Sequence, residues 1–296
     1  MQIGIIGQGF VGSAIKTGLK NFYDIKAYDL QKHRCHNILD TTSADEVIWH
    51  SDIVFFCLPT PMRKNGECDT RILENALANA YSILKKNNPR PLHSDFLNSQ
   101  RAKKTFVIKS TVPPGTTERL SKMYPRINLC FSPEFLTEAN SKEDFKNQSR
   151  IIIGGEGAKV VKQMFRKAFP NIPIIITKSE TAEMVKYFTN CFLATKVTFA
   201  NQMYNICKAS GVDYDKVCEY ALYDNRIGKS HFAVPGPDGD FGFGGHCFPK
   251  DLSALMAFSY KNEVDHMLLD CVDRYNNRIR TNKDWQKMKG RAVSED

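Results

Sequence analysis

The residues with the clearest chemical potential lie in the stretch FGFGGHCFPKD at positions 241–251. Three glycines precede Cys247, so a ligand can approach the backbone closely. Lys250 and Asp251 follow. Asp251 stands where it could N-cap the last helix. A cysteine just ahead of a helix N-terminus and near lysines is expected to have a lowered pKa and a larger thiolate fraction. Such a thiolate is a nucleophile; the alternative is a structural cysteine in a turn. His246 is adjacent, but neighbouring side chains in an extended loop point apart, so it is expected only to line the loop.

Other polar residues have a chemistry-bearing spacing. Lys186 and Asn190 are four apart in a helical stretch and share a face. An ammonium and an amide there could hold an oxyanion; a solvated stripe is the plainer reading. Glu134 and Glu138, in SPEFLTE, follow a strand end, the usual place for ligand contacts in open α/β sheets. They read as base, water-holder or ribose contact, or else as helix-start carboxylates. Thr111, in KSTVPPGTT, also follows a strand, in a turn fixed by prolines and a glycine.

Gly7-Gln8-Gly9-Phe10-Val11-Gly12 fits G-x-G-x-x-G between a strand and a helix. Gly7 permits the turn, Gly9 lets a pyrophosphate reach the backbone, and Gly12 lets helix and sheet pack closely. Phe10 and Val11 open the helix, whose N–H groups face phosphates. Asp29, 17 residues after Gly12, ends the second strand and can hydrogen-bond an adenosine ribose. A carboxylate there repels a 2′-phosphate, which favours NAD over NADP; Lys32 and Arg34 weaken that preference slightly.

These residues need a frame. Strands are expected at 2–6, 25–29, 53–58, 105–109, 128–131, 151–153 and 172–176, with helices between them. That alternation predicts an α/β protein with an N-terminal Rossmann, doubly wound parallel sheet. Residues 179–210 lack proline and glycine and read as one long helix, the start of an all-α second domain. The expected division is 1–177 and 178–296. A short helix is expected near 214–223, a last one from about Asp251 to Arg278, and a frayed tail after Arg280. Residues 86–104 read as a basic, solvated insertion.

Composition sets outer bounds. Charged content is 25% and net charge +9, but the basic residues are spread out, so no nucleic-acid partner is expected. No apolar run reaches the roughly 18 residues of a membrane span. The N-terminus does not read as a signal peptide, and a cytoplasmic location is the expectation. The nine cysteines include no CxxC pair, so neither a disulfide framework nor a metal site is expected.

Taken in order, GIIGQGFVGSA, FFCLPTP, KSTVPPGTT, SPEFLTEA, AEMVKYFTN, NRIG and GFGGHCFPKD resemble the UDP-glucose/GDP-mannose dehydrogenase family. The matches run from residue 3 to 251. The resemblance implies an NAD-dependent enzyme that oxidises the C6 alcohol of a nucleotide sugar twice, in polysaccharide biosynthesis, most like a UDP-glucose 6-dehydrogenase. It implies that Cys247 is the nucleophile, that Lys186 and Asn190 steady oxyanions, and that Asp251 and Thr111 serve water activation. Glu134 would be the general base. Phe135, Leu136 and Glu138 would touch substrate and cofactor, Thr60 and Lys250 the cofactor, and Gly244 the substrate. Arg226 would reach the neighbouring subunit's substrate, which implies a homodimer. Members usually carry a third domain that grips the nucleotide, and this chain is expected to lack it. The loop 230–240 looks longer than in many members. The competing readings are a two-electron dehydrogenase of the 6-phosphogluconate or 3-hydroxyacid type, and a non-catalytic NAD-binding remnant or one subunit of a split enzyme.

Overall fold

The computed structural model describes residues 1–35, 43–86 and 103–295. The basic insertion expected at 86–104 therefore lies almost wholly outside the described residues. The chain forms two compact units, one of residues 1–60 and 70–186, the other of 61–69 and 187–296.

The first unit holds a seven-stranded sheet. Its strands are β1 (Gln2–Ile6), β2 (Asp24–Tyr28), β3 (Ile53–Phe56), β4 (Thr105–Ile108), β5 (Asn128–Phe131), β6 (Ile151–Gly155) and β7 (Ile174–Thr177). The order is β2-β1-β3-β4-β5-β6-β7. The chain runs outward to β2 and then back past β1 to β3, so the sheet's switch point falls between β1 and β3. Loops at the carboxyl ends of those strands line the crevice where such sheets bind ligands.

Among the described residues before β7, the helices of this unit are α1 (Phe10–Leu19), α2 (Ala44–His50), α3 (Arg71–Lys86), α4 (Thr116–Met123), α5 (Ser141–Lys146) and α6 (Ala158–Ala168). Both faces of the sheet's central strands are buried, as the alternation along β3 shows. Ile53 and Phe55 join one core with Ile3, Ile5, Ile25 and Val107. Val54 and Phe56 join the other with Phe106, Ile108, Leu129 and Phe131. This two-sided burial explains why the strands read as continuous apolar runs. Each fully buried side chain contributes about 1.5–3 kcal/mol.

The sheet is mostly parallel, as expected; the exception is β6, which runs antiparallel to β5, with Cys130 opposite Gly155 and Phe131 opposite Gly154. A parallel neighbour would require a full crossover helix. The connection after β5 instead carries the short α5, whose Phe145 fills the space beside Gly18 of α1.

Helix α7 (Ser179–Ala209) matches the expected long helix and spans about 46 Å at 1.5 Å per residue. The second unit adds α8 (Tyr214–Ala221), α9 (Cys247–Lys261) and α10 (Met267–Ile279). Its apolar clusters join Cys191 and Ala194 with Phe243, Leu252 and Val272, and Ala200 and Cys207 with Tyr214 and Val234.

Three expectations change here. The single last helix is two, α9 and α10, separated at residues 262–266. Helix α9 begins at Cys247, so Asp251 lies inside it rather than at its N-cap. The tail is not frayed: Trp285 and Ala292 are buried. Met62 N donates to Ala292 O at 2.8 Å, and Ser294 N donates to Met62 O at 2.8 Å. The tail thus pairs with the 61–69 segment of the same unit.

Candidate active site

The first unit builds a tight glycine loop between β1 and α1. Gly7 has φ +93°, and a Cβ there would lie 2.4 Å from Cys57 O. A Cβ on Gly12 would lie 2.0 Å from Gly7 O. Only glycine fits either place. Gly9 differs, since its Cβ would meet nothing nearer than Arg34 Nη1 at 3.9 Å. That is the opening through which a ligand can reach the backbone. Gly9 is also the N-cap of α1, whose first turn, with Phe10 and Val11, carries no acidic residue. An anion is favoured at such a helix end.

Asp29 lies directly after β2. Its Oδ2 accepts from Gln8 N at 2.6 Å and its Oδ1 from Gln31 N at 2.8 Å. The carboxylate is therefore fixed at the rim of the glycine loop. Arg34 Nη1 stands 3.7 Å from Asp29 Oδ2. Both features fit NAD: backbone open at Gly9 where a Cβ would intrude, and the Asp29 carboxylate oriented beside the glycine loop.

The strand ends beyond the cradle carry the other first-unit residues. Thr60 Oγ1 donates to Thr111 O at 2.8 Å, which ties the loop after β3 to the loop after β4. Ser110 Oγ donates to Leu58 O at 2.6 Å and accepts from Leu58 N at 3.0 Å, a second tie between the same loops.

After β5 the chain turns through Pro133 to Leu136 without entering a helix, so Glu134 and Glu138 are not helix-start carboxylates. Glu134 is buried, whereas Glu138 is exposed in the turn before α5. Glu134 Oε1 accepts from Phe135 N at 2.7 Å and from Leu136 N at 3.2 Å. Its Oε2 pairs with Lys109 Nζ at 3.2 Å. Lys186 Nζ donates to the backbone carbonyl of Glu134 and stands 5.5 Å from the Phe135 ring centroid.

Three residues before Lys186 on α7, Glu183 is fully buried. Its two oxygens accept from Gly115 N at 2.7 Å and Thr117 N at 2.8 Å, which caps α4. Burial pushes its carboxyl up to about 7, against the opposing pull of the Thr117 and Gly115 amides.

The second unit holds the remaining predicted groups. Asn190 Nδ2 donates to Asp251 Oδ2 at 2.5 Å, and Lys250 Nζ pairs with Asp251 Oδ1. All three residues are buried. Burial works against the Lys250 charge, but Asp251 and the Cys247 sulfur outweigh it and raise the ammonium pKa. Cys247, the first residue of α9, is half-buried. A thiolate there faces the positive end of the helix dipole. By contrast, burial pushes the thiols of Cys57, Cys130 and Cys191 up to about 12, as suits core residues.

His246 requires a correction. Its Nε2 lies 3.4 Å from Cys247 Sγ. The expectation that the two side chains diverge assumed an extended loop, but His246 has φ −95° and ψ −21°, a helical conformation that brings the side chains together. Gly244 packs where a Cβ would lie 2.2 Å from Arg280 Nη2, so its small size is required by the fold of the loop itself. Arg226 is exposed and paired with Asp224, its Nε 2.9 Å from Asp224 Oδ1.

Sequence reasoning missed Lys109, Glu183 and Asp284. Lys109 directly follows the apolar run Phe106–Ile108 of β4, and a lysine there is a readable signal. Asp284, whose oxygens accept from Gly245 N at 3.1 Å, is too far along the chain to be found by spacing. Among the described residues there is no cluster of His, Cys, Asp and Glu arranged to hold a metal ion, and no helix long and apolar enough to cross a membrane.

Sheet, glycine loop and fixed carboxylate define a dinucleotide-binding Rossmann protein with a helical second unit. Residues 15–172 match the NAD binding domain of the UDP-glucose/GDP-mannose dehydrogenase family, and residues 180–278 match its central domain. The chain belongs to that family, and its cofactor is NAD.

A UDP-glucose 6-dehydrogenase of Bacillus subtilis is 33% identical over 282 residues, covering 90% of this chain and 56% of that protein. A GDP-mannose 6-dehydrogenase of Pseudomonas aeruginosa is 31% identical over 252 residues, covering 80% and 53%. The chain thus spans little more than half the length of these relatives. The solved UDP-glucose dehydrogenase of Pyrobaculum islandicum superposes with a TM-score of 0.79 at 27% identity, over 94% of this chain and 68% of that one. A 3-hydroxyisobutyrate dehydrogenase of Mycobacterium tuberculosis shares the fold, with a TM-score of 0.71 at 14% identity.

Proposed function

We propose that the chain oxidises the C6 alcohol of a nucleotide sugar to the carboxylate, with UDP-glucose giving UDP-glucuronate. NAD, held by the glycine loop, Asp29, Thr60 and Thr111, supplies the hydride acceptor for both oxidations. The chain's own residues handle the carbon and the protons. Cys247 Sγ adds to the carbon of the intermediate aldehyde and makes it tetrahedral, because an aldehyde has no hydride to give until it gains a fourth substituent. The adduct, a thiohemiacetal, is oxidised to a thioester. Water then cleaves the thioester, releases the acid and returns the thiol. Lys186 and Asn190 balance the oxyanions, as a cation and a donor aimed at developing charge should.

The observation that carries this reading is the composition of α9. The candidate nucleophile opens the helix, and the same helix delivers Lys250 and Asp251, with Asp251 bonded to Asn190. A two-electron dehydrogenase needs no cysteine there. Glu134 as base, and Glu138, Phe135, Leu136 and Gly244 as substrate contacts, follow from the same family likeness.

A homodimer is part of the proposal. On α7, Phe188, Phe192, Phe199 and Ile206 are exposed at close to helical spacing, an apolar stripe suited to a second copy, and Arg226 is exposed as a residue reaching a partner's substrate must be.

The test is stoichiometry. The intact protein should release two NADH per UDP-glucose, and Cys247→Ser should free no glucuronate. One NADH per sugar from the intact protein would establish the two-electron reading. NAD binding without turnover of any UDP- or GDP-sugar would establish the non-catalytic or split-enzyme reading.

A further inference from the structure

We propose that Lys109 is a positioning residue for the reaction, acting through Glu134 on Lys186. This rests on the proposed nucleotide-sugar oxidation, in which Lys186 balances oxyanions. Lys109 directly follows β4, with its side chain 4% exposed, and Glu134 is nearly as buried, at 10%. The ammonium donates to Pro133 O at 3.1 Å and pairs with Glu134 Oε2 at 3.2 Å. It therefore grips both ends of one dipeptide.

The other Glu134 oxygen takes the Phe135 and Leu136 amides. Three donors thus fill most of the roughly four acceptor positions of the carboxylate. A carboxylate so engaged locks the 133–136 turn. The consequence falls on the Glu134 carbonyl, which receives Lys186 Nζ. Lys186 is flexible on its long stem and takes its place from what its ammonium can reach. The Lys109–Glu134 pair sets where that carbonyl sits, and so where the Lys186 charge sits. A small misplacement of a charge-balancing group lowers the rate steeply.

Lys109→Met keeps the stem and removes the charge. Hydrogen exchange followed by mass spectrometry should show faster exchange at Phe135 and Leu136 in this variant. Turnover of UDP-glucose should fall by roughly 10- to 100-fold in kcat, with KM for NAD nearly unchanged. Lys109→Arg should recover part of the kcat, because the guanidinium restores the charge opposite Glu134.

If Lys109→Met fails to fold, Glu134→Gln is read by exchange alone, because Glu134 is also the proposed base: faster exchange at Phe135 and Leu136 once the charge opposite Lys109 is gone supports the proposal, and unchanged exchange there overturns it. A folded Lys109→Met with wild-type kcat, or with unchanged exchange at Phe135 and Leu136, overturns the proposal. If the wild-type protein oxidises no nucleotide sugar, the functional reading fails, and the exchange measurement still decides whether Lys109 holds the turn.

Discussion

Asn190 donates to Asp251 at 2.5 Å, and that carboxylate also carries the charge opposite Lys250. Asp251 therefore joins two helices: it sits on α9, and Asn190 sits on α7. Removing its charge leaves Lys250 buried without its partner. Asp251→Asn should cost about 3–5 kcal/mol in chemical denaturation. The double variant Lys250→Met/Asp251→Asn should be more stable than the sum of the single effects, because no unpaired charge remains. Strict additivity in that cycle would refute the pairing.

The glycine loop gives two variants with opposite signatures. Gly12→Ala places a Cβ 2.0 Å from Gly7 O, a backbone atom that cannot move aside cheaply. It should lower stability by at least about 1–3 kcal/mol and abolish NAD binding. Gly9→Ala meets only Arg34 Nη1, at 3.9 Å. It should leave the melting temperature within about 2 °C of wild type and weaken NAD at least about tenfold in calorimetry. If Gly9→Ala binds NAD normally, the opening is not the phosphate cradle.

Glu183 predicts a pH dependence of stability. Its carboxyl titrates at about 7 in the folded chain against 4.5 ordinarily. A raised carboxyl favours the folded state when protonated, so its contribution is fully present below pH 4.5 and is lost as pH rises through 7. The shift corresponds to about 3 kcal/mol. The difference in unfolding free energy between wild type and Glu183→Gln should therefore move in favour of wild type as pH falls from 8 to 5. A difference that stays flat over that interval would show that Glu183 does not titrate there.

Trp285 tests the folded tail. It is 5% exposed in a segment that the composition alone marks as polar. Trp285→Ala should cost about 3–5 kcal/mol. A surface-like change below about 0.5 kcal/mol would mean that the tail is not part of the second unit's core.

Legibility in the sequence followed the range of the interactions. The strands, the glycine loop and α7 were readable because their signals are local: apolar runs, glycine spacing, and a long stretch without helix breakers. Cys247 stands out as a candidate because glycines and charges crowd around it in the sequence. The reversal of β6 was not, since strand direction depends on how a connection packs, and Gly18 against Phe145 is a contact across distant residues. The closeness of His246 to Cys247 is hidden because the glycine-rich sequence reads as a loop where the chain already turns as a helix. Lys109 and Glu183 escaped because each acts on a partner 25 or more residues away. The tail was misread because its polar composition hides one tryptophan and one alanine that are buried.

Residues 61–69 belong to the second unit, although the chain on either side of them belongs to the first. On the ribosome this segment emerges long before Ser253, Ala292 and Ser294, the residues to which it is hydrogen-bonded. The second unit cannot be completed until Ser294 has been made. For the same reason a fragment begun at residue 187 would lack a piece of its own fold, and a fragment ended at residue 186 would display that piece with nothing to pair it. Supplying the two fragments together should restore what neither has alone.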